Sequence, residues 1–143
     1  MPIDIFEPLE QLVFGAIGMT ALALADSAGR ELTFSGWRAL VILGHADKTR
    51  VGTLAQGIGM SLPSASRLIR RLERDGLVMT ERDESDRRAT LVSLTRRGQD
   101  LREAVVIRRR ALMAEALEAR SPTLPKGLIP GLNAIARAFA PYS

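Results

Sequence analysis

The stretch from Ser61 to Gly98 constrains the fold most, because it holds a basic helix, two β-prone runs and a charged loop in direct succession. Placed at 100° per residue, one side of the helix is apolar and carries Leu62, Ala65, Leu68, Ile69 and Leu72. The opposite side is basic or polar and carries Pro63, Ser64, Arg67, Arg70, Arg71 and Arg74. Ser61 suits the N-cap, and Asp75-Gly76 supplies a stop. The pattern predicts a helix over about Leu62 to Arg74, with one face for a core and the other for an anionic partner.

The residues on both sides of this helix predict a winged helix. Val51 to Gly59 reads as a short helix, joined to the basic helix by a tight turn at Gly59-Met60. Downstream, the β-prone runs LVMTER and TLVSLT are separated by the loop DESDRRA, which is the pattern of a hairpin. Two short helices joined by a tight turn, the second basic on its outer face, form a helix-turn-helix, and the hairpin that follows adds the wing.

Apolar helices flank this unit. The apolar residues from Pro8 to about Asp26 recur at a helical period but also lie outside one stripe, so the helix must be buried on several sides. Ser27-Ala28-Gly29 is expected to end it. Thr95 is expected to cap a long helix to about Arg120, with Arg108, Arg109 and Arg110 as an exposed collar. A Pro-rich break at 121–130 precedes a last helix that carries Leu128, Leu132, Ile135, Ala136 and Phe139.

Two interpretations of the first helix remain open, a central core helix of a monomer and a helix covered by a second subunit. We favour the second subunit, because a lobe this small has too little core to cover such a helix alone. The expected organisation is then an N-terminal dimerisation helix at 1–32, a winged helix-turn-helix lobe at 33–98 and C-terminal dimerisation helices at 99–143. A two-fold dimer would place two basic helices about one DNA turn apart, on a pseudo-palindromic site of double-stranded DNA.

A second helix, capped by Thr33 and ending near Asp47, has two different sides. One side is purely aliphatic, and the other mixes aromatic and ionisable residues, namely Phe34, Trp37, Arg38, Val41 and His45. Such a mixture is typical of a pocket wall, although Trp and His on a helix are more often packing residues. Lys48-Thr49-Arg50, just after this helix, reads as a polar linker.

Composition narrows the function. Of the 20 basic residues 18 are arginine, and nine of these lie between Arg67 and Arg97, so the net charge of +4 is concentrated in one region. With no cysteine and one histidine, disulfides, thiol nucleophiles, Cys-ligated zinc and multi-His metal sites are excluded, and we expect neither an enzyme nor a cofactor. The longest uncharged run, Gln11 to Ala25, is shorter than the roughly 20 residues that span a bilayer. We therefore expect a cytoplasmic protein without a membrane partner.

The sequence resembles the MarR family (multiple-antibiotic-resistance regulators) over nearly the whole chain. The resemblance rests on LTFSGWRALVILGH, on TLAQGIGMSLPSASRLIRRLERDGLV and on the motif D-x-x-D-R-R-x-x-x-x-x-L-T-x-x-G from Asp83 to Gly98. It implies a homodimeric winged-helix transcription factor, usually a repressor, released from DNA by a small aromatic or lipophilic acid bound between its lobes. Because the chain has no cysteine, the thiol-sensing branch of the family is excluded.

The resemblance also implies roles for single residues. Asp86 and Arg88 resemble the family's wing pair, in which the arginine enters the minor groove and the aspartate orients it. Together with the basic helix face, the expected DNA-binding residues are Ser61, Pro63, Ser64, Ser66, Arg67, Arg70, Arg71, Arg74, Asp86, Arg87 and Arg88. The expected effector contacts are the mixed face of the second helix. The alternative is a winged-helix protein-interaction module that uses its basic face on an acidic partner.

Overall fold

The structure is a computed structural model that describes residues 4–28 and 32–142. Its elements are the helices α1 (Phe6–Ala28), α2 (Phe34–Leu43), α3 (Val51–Ile58), α4 (Leu62–Arg74), α5 (Arg96–Arg120) and α6 (Leu128–Phe139), with the strands β1 (Thr49–Arg50), β2 (Val78–Arg82) and β3 (Thr90–Leu94). A short 3-10 turn follows α6. The mainly helical winged helix-turn-helix predicted from sequence is confirmed. Gly29, expected to end the first helix, lies outside the described residues.

The core of the winged lobe forms where α2, α3, α4, the sheet and α5 meet. Leu40, Leu54, Leu72, Val92 and Val105 are its largest fully buried side chains. The apolar side predicted for α4 is confirmed at Ala65, Ile69 and Leu72, which are buried, and at Leu68, which packs against the core. Leu62 differs, since 56% of it is exposed at the start of the helix.

The predicted hairpin is part of a three-stranded sheet. Strands β2 and β3 pair antiparallel, with Val78 opposite Leu94 and Arg82 opposite Thr90. The expectation of a polar linker at residues 48–50 was wrong, because Thr49 and Arg50 form β1, opposite Val92 and Leu91 of β3. A two-residue strand is too short to produce a periodic pattern, and its partner lies about forty residues away. Helix α2 also ends earlier than expected, at Leu43 rather than near Asp47.

A tight junction joins the sheet to α5. The hydroxyl of Thr95 accepts a hydrogen bond from the Gly98 N–H (3.0 Å) and donates one to the carbonyl of Gly76 (2.6 Å). The Thr95 N–H donates to the carbonyl of Leu77. A Cβ atom at position 98 would lie 2.0 Å from that same carbonyl oxygen, so only glycine fits there. The T-x-x-G part of the sequence motif therefore fixes the start of α5 against the turn before β2.

The flanking helices bury little within one chain. Helix α1 packs along α5, but only Thr20, Ala23 and Leu24 of its 23 residues are buried, and α6 has no buried residue among those described. The exposed arginine collar expected on α5 was wrong for two of its three members. Arg108 Nε lies 2.6 Å from Asp26 Oδ2 of α1, and the guanidinium of Arg109 lies 5.9 Å from the ring centre of Trp37.

Helix α1 is also longer than the uncharged run suggested. In the described part of the chain it is the one helix long and apolar enough, by length and composition alone, to cross a membrane, with a mean hydropathy of 1.4 over its most apolar window. A helix that packs into a protein core has the same composition, and α1 does contact α5. Only 17% of that window is buried inside the chain, so most of its apolar surface is exposed in a single copy, and large exposed apolar patches are typical of interaction sites.

Candidate nucleic-acid interface

Helix α4 presents its basic side to solvent. It begins at the N-cap Ser61, whose hydroxyl accepts a hydrogen bond from the Ser64 N–H (3.4 Å), and its 13 residues give it a length of about 20 Å. The sequence-predicted residues of this face are exposed at Ser61, Pro63, Arg67, Arg70, Arg71 and Arg74, and half-buried at Ser64 and Ser66. An exposed basic helix of this length can lie in a major groove, which is about 12 Å wide.

Hydrogen bonds hold two parts of this face in place. Ser64 Oγ accepts from Ser61 Oγ (3.0 Å) and from Arg67 Nη2 (3.1 Å), so the guanidinium of Arg67 is held over the first turn of α4. Farther along the helix, Glu73 accepts a hydrogen bond from the hydroxyl of Thr80 in β2 (2.7 Å). Glu73 thus fastens α4 to the sheet, on the edge of a shallow groove of about 400 Å³ that it shares with Arg67, Arg70 and Arg74.

The tip of the wing is organised by two aspartates. Asp86 Oδ1 accepts a hydrogen bond from the backbone N–H of Arg88 (3.1 Å), and the Asp86 carbonyl accepts one from the N–H of Ala89 (2.9 Å). Asp86 therefore orients the backbone at Arg88 and makes no contact with its guanidinium. Asp83, at the end of β2, accepts from both the N–H and the hydroxyl of Ser85. Arg87 and Arg88 are exposed at the tip.

A notch separates the wing from the helix-turn-helix. Its volume is about 500 Å³, and its polar lining residues are Arg50, Thr53, Gln56, Ser66, Arg88 and Thr90. Of these, Arg50, Thr53, Gln56 and Thr90 were not among the residues predicted from sequence. The spacing of Thr53 and Gln56 on one exposed side of α3 is a helical signal that could have found them. Nothing in the local sequence indicated Arg50, because its position depends on the pairing of β1 with β3.

The mixed face predicted on α2 is divided between the core and the surface. Trp37 is buried (6% exposed), and Val41 is half-buried. Arg38 Nε donates to the carbonyl of Gly57 in α3 (3.3 Å), and Phe34 is 47% exposed. His45 lies beyond the end of α2, in a cavity of about 650 Å³ that Leu43, Thr95 and Arg96 also line. The five residues therefore do not line one cavity together within a single chain.

The described ranges, 4–28 and 32–142, contain no cluster of three or more His, Cys, Asp or Glu side chains that could hold a metal ion. Two acidic groups of the wing are paired with basic side chains instead, Glu81 with Lys48 and Asp83 with Arg50. Glu81 raises the pKa of Lys48, through a hydrogen bond and its charge. The chemistry that the surface offers is therefore an array of guanidinium, hydroxyl and amide donors, and such an array suits a polyanion.

Comparisons with known proteins agree with this geometry. Residues 32–90 match the model of the MarR family. A relative from Bacillus subtilis (strain 168), the uncharacterized HTH-type transcriptional regulator YfiV, is 26% identical over 109 residues, which is 76% of this chain and 68% of that protein. The crystal structure of RV1404 from Mycobacterium tuberculosis superposes with a TM-score of 0.82 at 25% identity, over 98% of this chain and 97% of the other.

A second similar structure contains a ligand. NadR, in complex with 4-hydroxyphenylacetate, superposes with a TM-score of 0.70 at 21% identity. The superposition covers 96% of this chain and 93% of NadR. Fold and surface together define a winged helix-turn-helix protein of the transcriptional-regulator class. The particular family whose model matches is MarR, over residues 32–90, and the chain as a whole shares its fold with the two structures just described.

Proposed function

We propose that this chain is a cytoplasmic, homodimeric repressor that binds a pseudo-palindromic operator in double-stranded DNA and is released from it by a small aromatic or lipophilic carboxylate. The observation that carries the proposal is the exposed arginine face of α4 beside an exposed arginine wing tip. The match of residues 32–90 to the MarR family model supports DNA binding as the activity. The repressor role is the usual one in that family, and the dimer and effector parts of the proposal rest on the surfaces that one chain leaves exposed.

In this proposal α4 reads base edges in the major groove. Arg67 and Arg70 lie on the exposed side of the helix, and guanidinium groups can donate two hydrogen bonds to O6 and N7 of guanine. Ser64 and Ser66 are placed beside them. Ser61, Pro63, Arg71 and Arg74 lie toward the ends of the same face, where contacts to phosphates would fix the register of the helix on the duplex.

The wing acts on the minor groove. Arg88 is exposed at its tip and Arg87 precedes it, so both can approach a flanking segment of DNA while α4 occupies the major groove. A narrow, A·T-rich minor groove concentrates negative potential and favours an inserted arginine. Asp86 takes part by shaping the turn that presents Arg88, through its hydrogen bond to the Arg88 N–H.

Residues 1–32 and 99–143 act as dimerisation segments around the lobe at 33–98. Large apolar side chains are exposed along the helices of these segments, at Phe6, Leu12, Phe14 and Ile17 of α1, at Ile107 and Leu117 of α5, and at Ile129, Leu132 and Phe139 of α6. A second copy of the same helices would cover them and, by two-fold symmetry, place two α4 helices for adjacent major grooves.

The effector part of the proposal draws on two observations. NadR holds an aromatic carboxylate in the same fold. In this chain Phe34, Arg38 and Val41 are accessible on α2, His45 is exposed just beyond its end, and Trp37 is buried. A ligand there releases DNA if it binds the DNA-incompetent spacing of the two lobes more tightly, by a coupling of about 1–3 kcal/mol. Aromatic carboxylates should then lower DNA affinity, and Arg38→Ala should weaken that response.

The experiment that tests the proposal starts from a random duplex pool. Selection of bound duplexes should give a two-fold symmetric consensus, and the mass of the complex should correspond to two chains per duplex. Arg110→Ala is a control matched in charge, because Arg110 is exposed on α5, outside the proposed DNA-contacting surface, and is not one of the apolar residues expected to be covered in the dimer. It should bind the selected site like the wild type. Failure of the wild-type chain to bind any duplex, with binding to an acidic protein partner instead, would favour the protein-interaction module.

A further inference from the structure

Two ion pairs cross the sheet of the wing. The strand order is β1-β3-β2, so a contact between the first and last of these strands has to pass over β3. Lys48 pairs with Glu81, and Arg50 pairs with Asp83, where Nε and Nη2 lie 3.1 Å and 2.6 Å from Asp83 Oδ2. Both pairs run diagonally in the same direction, since Arg50 and Glu81 are each opposite Leu91.

Asp83 accepts hydrogen bonds from Ser85 as well as from Arg50. Its Oδ2 accepts both hydrogen bonds from Arg50, and its Oδ1 accepts the N–H of Ser85 (3.0 Å) and the hydroxyl of Ser85 (2.7 Å). The backbone N–H of Asp83 donates to the carbonyl of Ala89, just before β3. Only 13% of the Asp83 side chain is exposed, against 50% for Arg50. The hydrogen bonds from Ser85, followed by those from Arg50, lower the pKa of Asp83 to about 2.

Arg50 connects the wing to the helix-turn-helix. It is the last residue of β1 and also the N-cap residue of α3, the helix that packs on α4. The same residue lines the notch whose wall on the wing side carries Arg88 and whose wall on the helix side carries Ser66. Arg50 lines the notch and pairs with Asp83, so the ion pair joins the start of α3 to the end of the first wing strand.

We propose that the Arg50–Asp83 pair is a strap that fixes the wing at a set distance from α4, so that Arg88 and the arginines of α4 meet the duplex as one rigid surface. The inference rests on the proposed function. Arg50 is here a positioning residue that acts through Asp83, and not a phosphate ligand. Ion pairs at the protein surface contribute little to folding stability, and the Arg50 side chain is half exposed, so the strap should affect DNA binding more than unfolding.

The sign of the effect separates this strap from simple electrostatics. Asp83→Asn removes a negative charge from a surface that binds a polyanion, and charge alone would make binding tighter. Loss of the strap should make binding weaker. Without the ion pair the wing is mobile in the free protein and has to become ordered when it binds DNA, whereas the wing of the wild type is ordered beforehand, and such ordering costs affinity. We expect Asp83→Asn and Arg50→Ala each to weaken binding about 3- to 10-fold, which is the usual size of ordering one or two side chains.

The test uses the full chain and its selected duplex, with fluorescence anisotropy across a series of salt concentrations. The combination of Arg50→Ala with Asp83→Asn should bind no more weakly than the poorer single variant, and Asp83→Asn should have no further effect when Arg88→Ala is already present. Arg50→Lys keeps the charge pair and should recover part of the affinity. Ser85→Ala is the matched control, since it removes a hydrogen bond from the same carboxylate and leaves Arg50 in place.

Three results would overturn the strap. One is tighter or unchanged binding by Asp83→Asn. Another is a salt-dependence slope that falls by about one unit in Arg50→Ala, which is the sign of a lost phosphate contact. The third is full additivity of Asp83→Asn with Arg88→Ala. If the wild-type chain binds no duplex, the proposed function fails; if it binds and Arg67→Ala weakens it while Asp83→Asn does not, the strap alone fails.

Discussion

The winged lobe and the helices that flank it differ in how much of their apolar surface is buried within one chain. In the lobe Leu40, Leu54 and Val92 are each 0% exposed. On the flanking helices Phe6, Phe14 and Phe139 are 74%, 69% and 47% exposed. Aromatic side chains of this size each carry 150–250 Å² of surface, so leaving several of them in water is costly. The lobe buries its core inside one chain, whereas the flanking helices leave much of their apolar surface exposed in a single chain.

The largest expected effect is on dimerisation, through substitutions in the flanking helices. Leu12→Asp combined with Phe139→Asp places charges where we expect a second copy of the chain to pack. A buried charge without a partner costs about 3 kcal/mol or more, so the dimer dissociation constant should rise more than 100-fold. Sedimentation at micromolar concentration should find monomer or aggregate for this variant and dimer for the wild type.

A wild-type chain that sediments as a monomer at that concentration would contradict the comparison. Binding of the wild type to phospholipid vesicles, with α1 protected from proteolysis, would instead assign the cover of α1 to a membrane. The double variant should keep the helical circular dichroism of the lobe, because neither residue contributes to the buried core of the lobe.

The second largest expected effect is a loss of folding stability in the winged lobe. In Gly98→Ala the new Cβ would lie 2.0 Å from the carbonyl oxygen of Leu77, so backbone has to move, and overpacking of this kind costs about 3 kcal/mol. Urea unfolding can follow the loss through Trp37, the single tryptophan and a buried residue.

Gly52→Ala is the control, since nothing lies within 4 Å of a Cβ at that position in α3. It should be neutral or stabilise the lobe by up to about 1 kcal/mol, because alanine is the better helix former. Equal midpoints for Gly98→Ala and the wild type would show that the α5 junction can relax and does not fix the lobe.

A third prediction compares arginines of the two regions. Arg67 lies on the exposed face of α4. The variant Arg67→Ala should bind the selected duplex about 1–3 kcal/mol more weakly than the wild type and should lose its preference at one base position. Arg108 on α5 is already paired with Asp26 and Glu115, so Arg108→Ala should leave DNA binding unchanged. Competition assays with cognate and random duplexes measure both. If Arg67→Ala weakened the two duplexes equally, its assignment as a base reader would be wrong.

The smallest expected effect concerns pH. Because the pKa of Asp83 is lowered to about 2 from its ordinary 3.8, its charged form stabilises the folded wing at every pH above about 4. That stabilisation is lost as the pH falls through about 2. The difference in unfolding free energy between the wild type and Asp83→Asn should therefore be constant from pH 8 to 5 and shrink between pH 4 and 2. A difference that already changes between pH 7 and 5 would contradict this assignment.

Local sequence determined the parts of this protein whose interactions are short in range. The caps at Ser61 and Thr95, the amphipathic pattern of α4 and the turn residues of the hairpin each act within a few residues, so helix α4 was predicted with its observed bounds, Leu62–Arg74. The basic face of α4 and the exposed wing tip followed from the same patterns. These elements include most residues of the candidate interface.

Tertiary structure decided what depends on pairing between distant segments. Strand β1 exists because Thr49 and Arg50 meet β3, and that pairing alone brings Arg50 to Asp83. The mixed face of α2 was divided because α5 packs over Trp37 through Arg109, which no periodicity on α2 can reveal. Contacts between residues far apart in sequence are set by how whole elements pack, and a local pattern specifies which face is apolar without specifying what covers it.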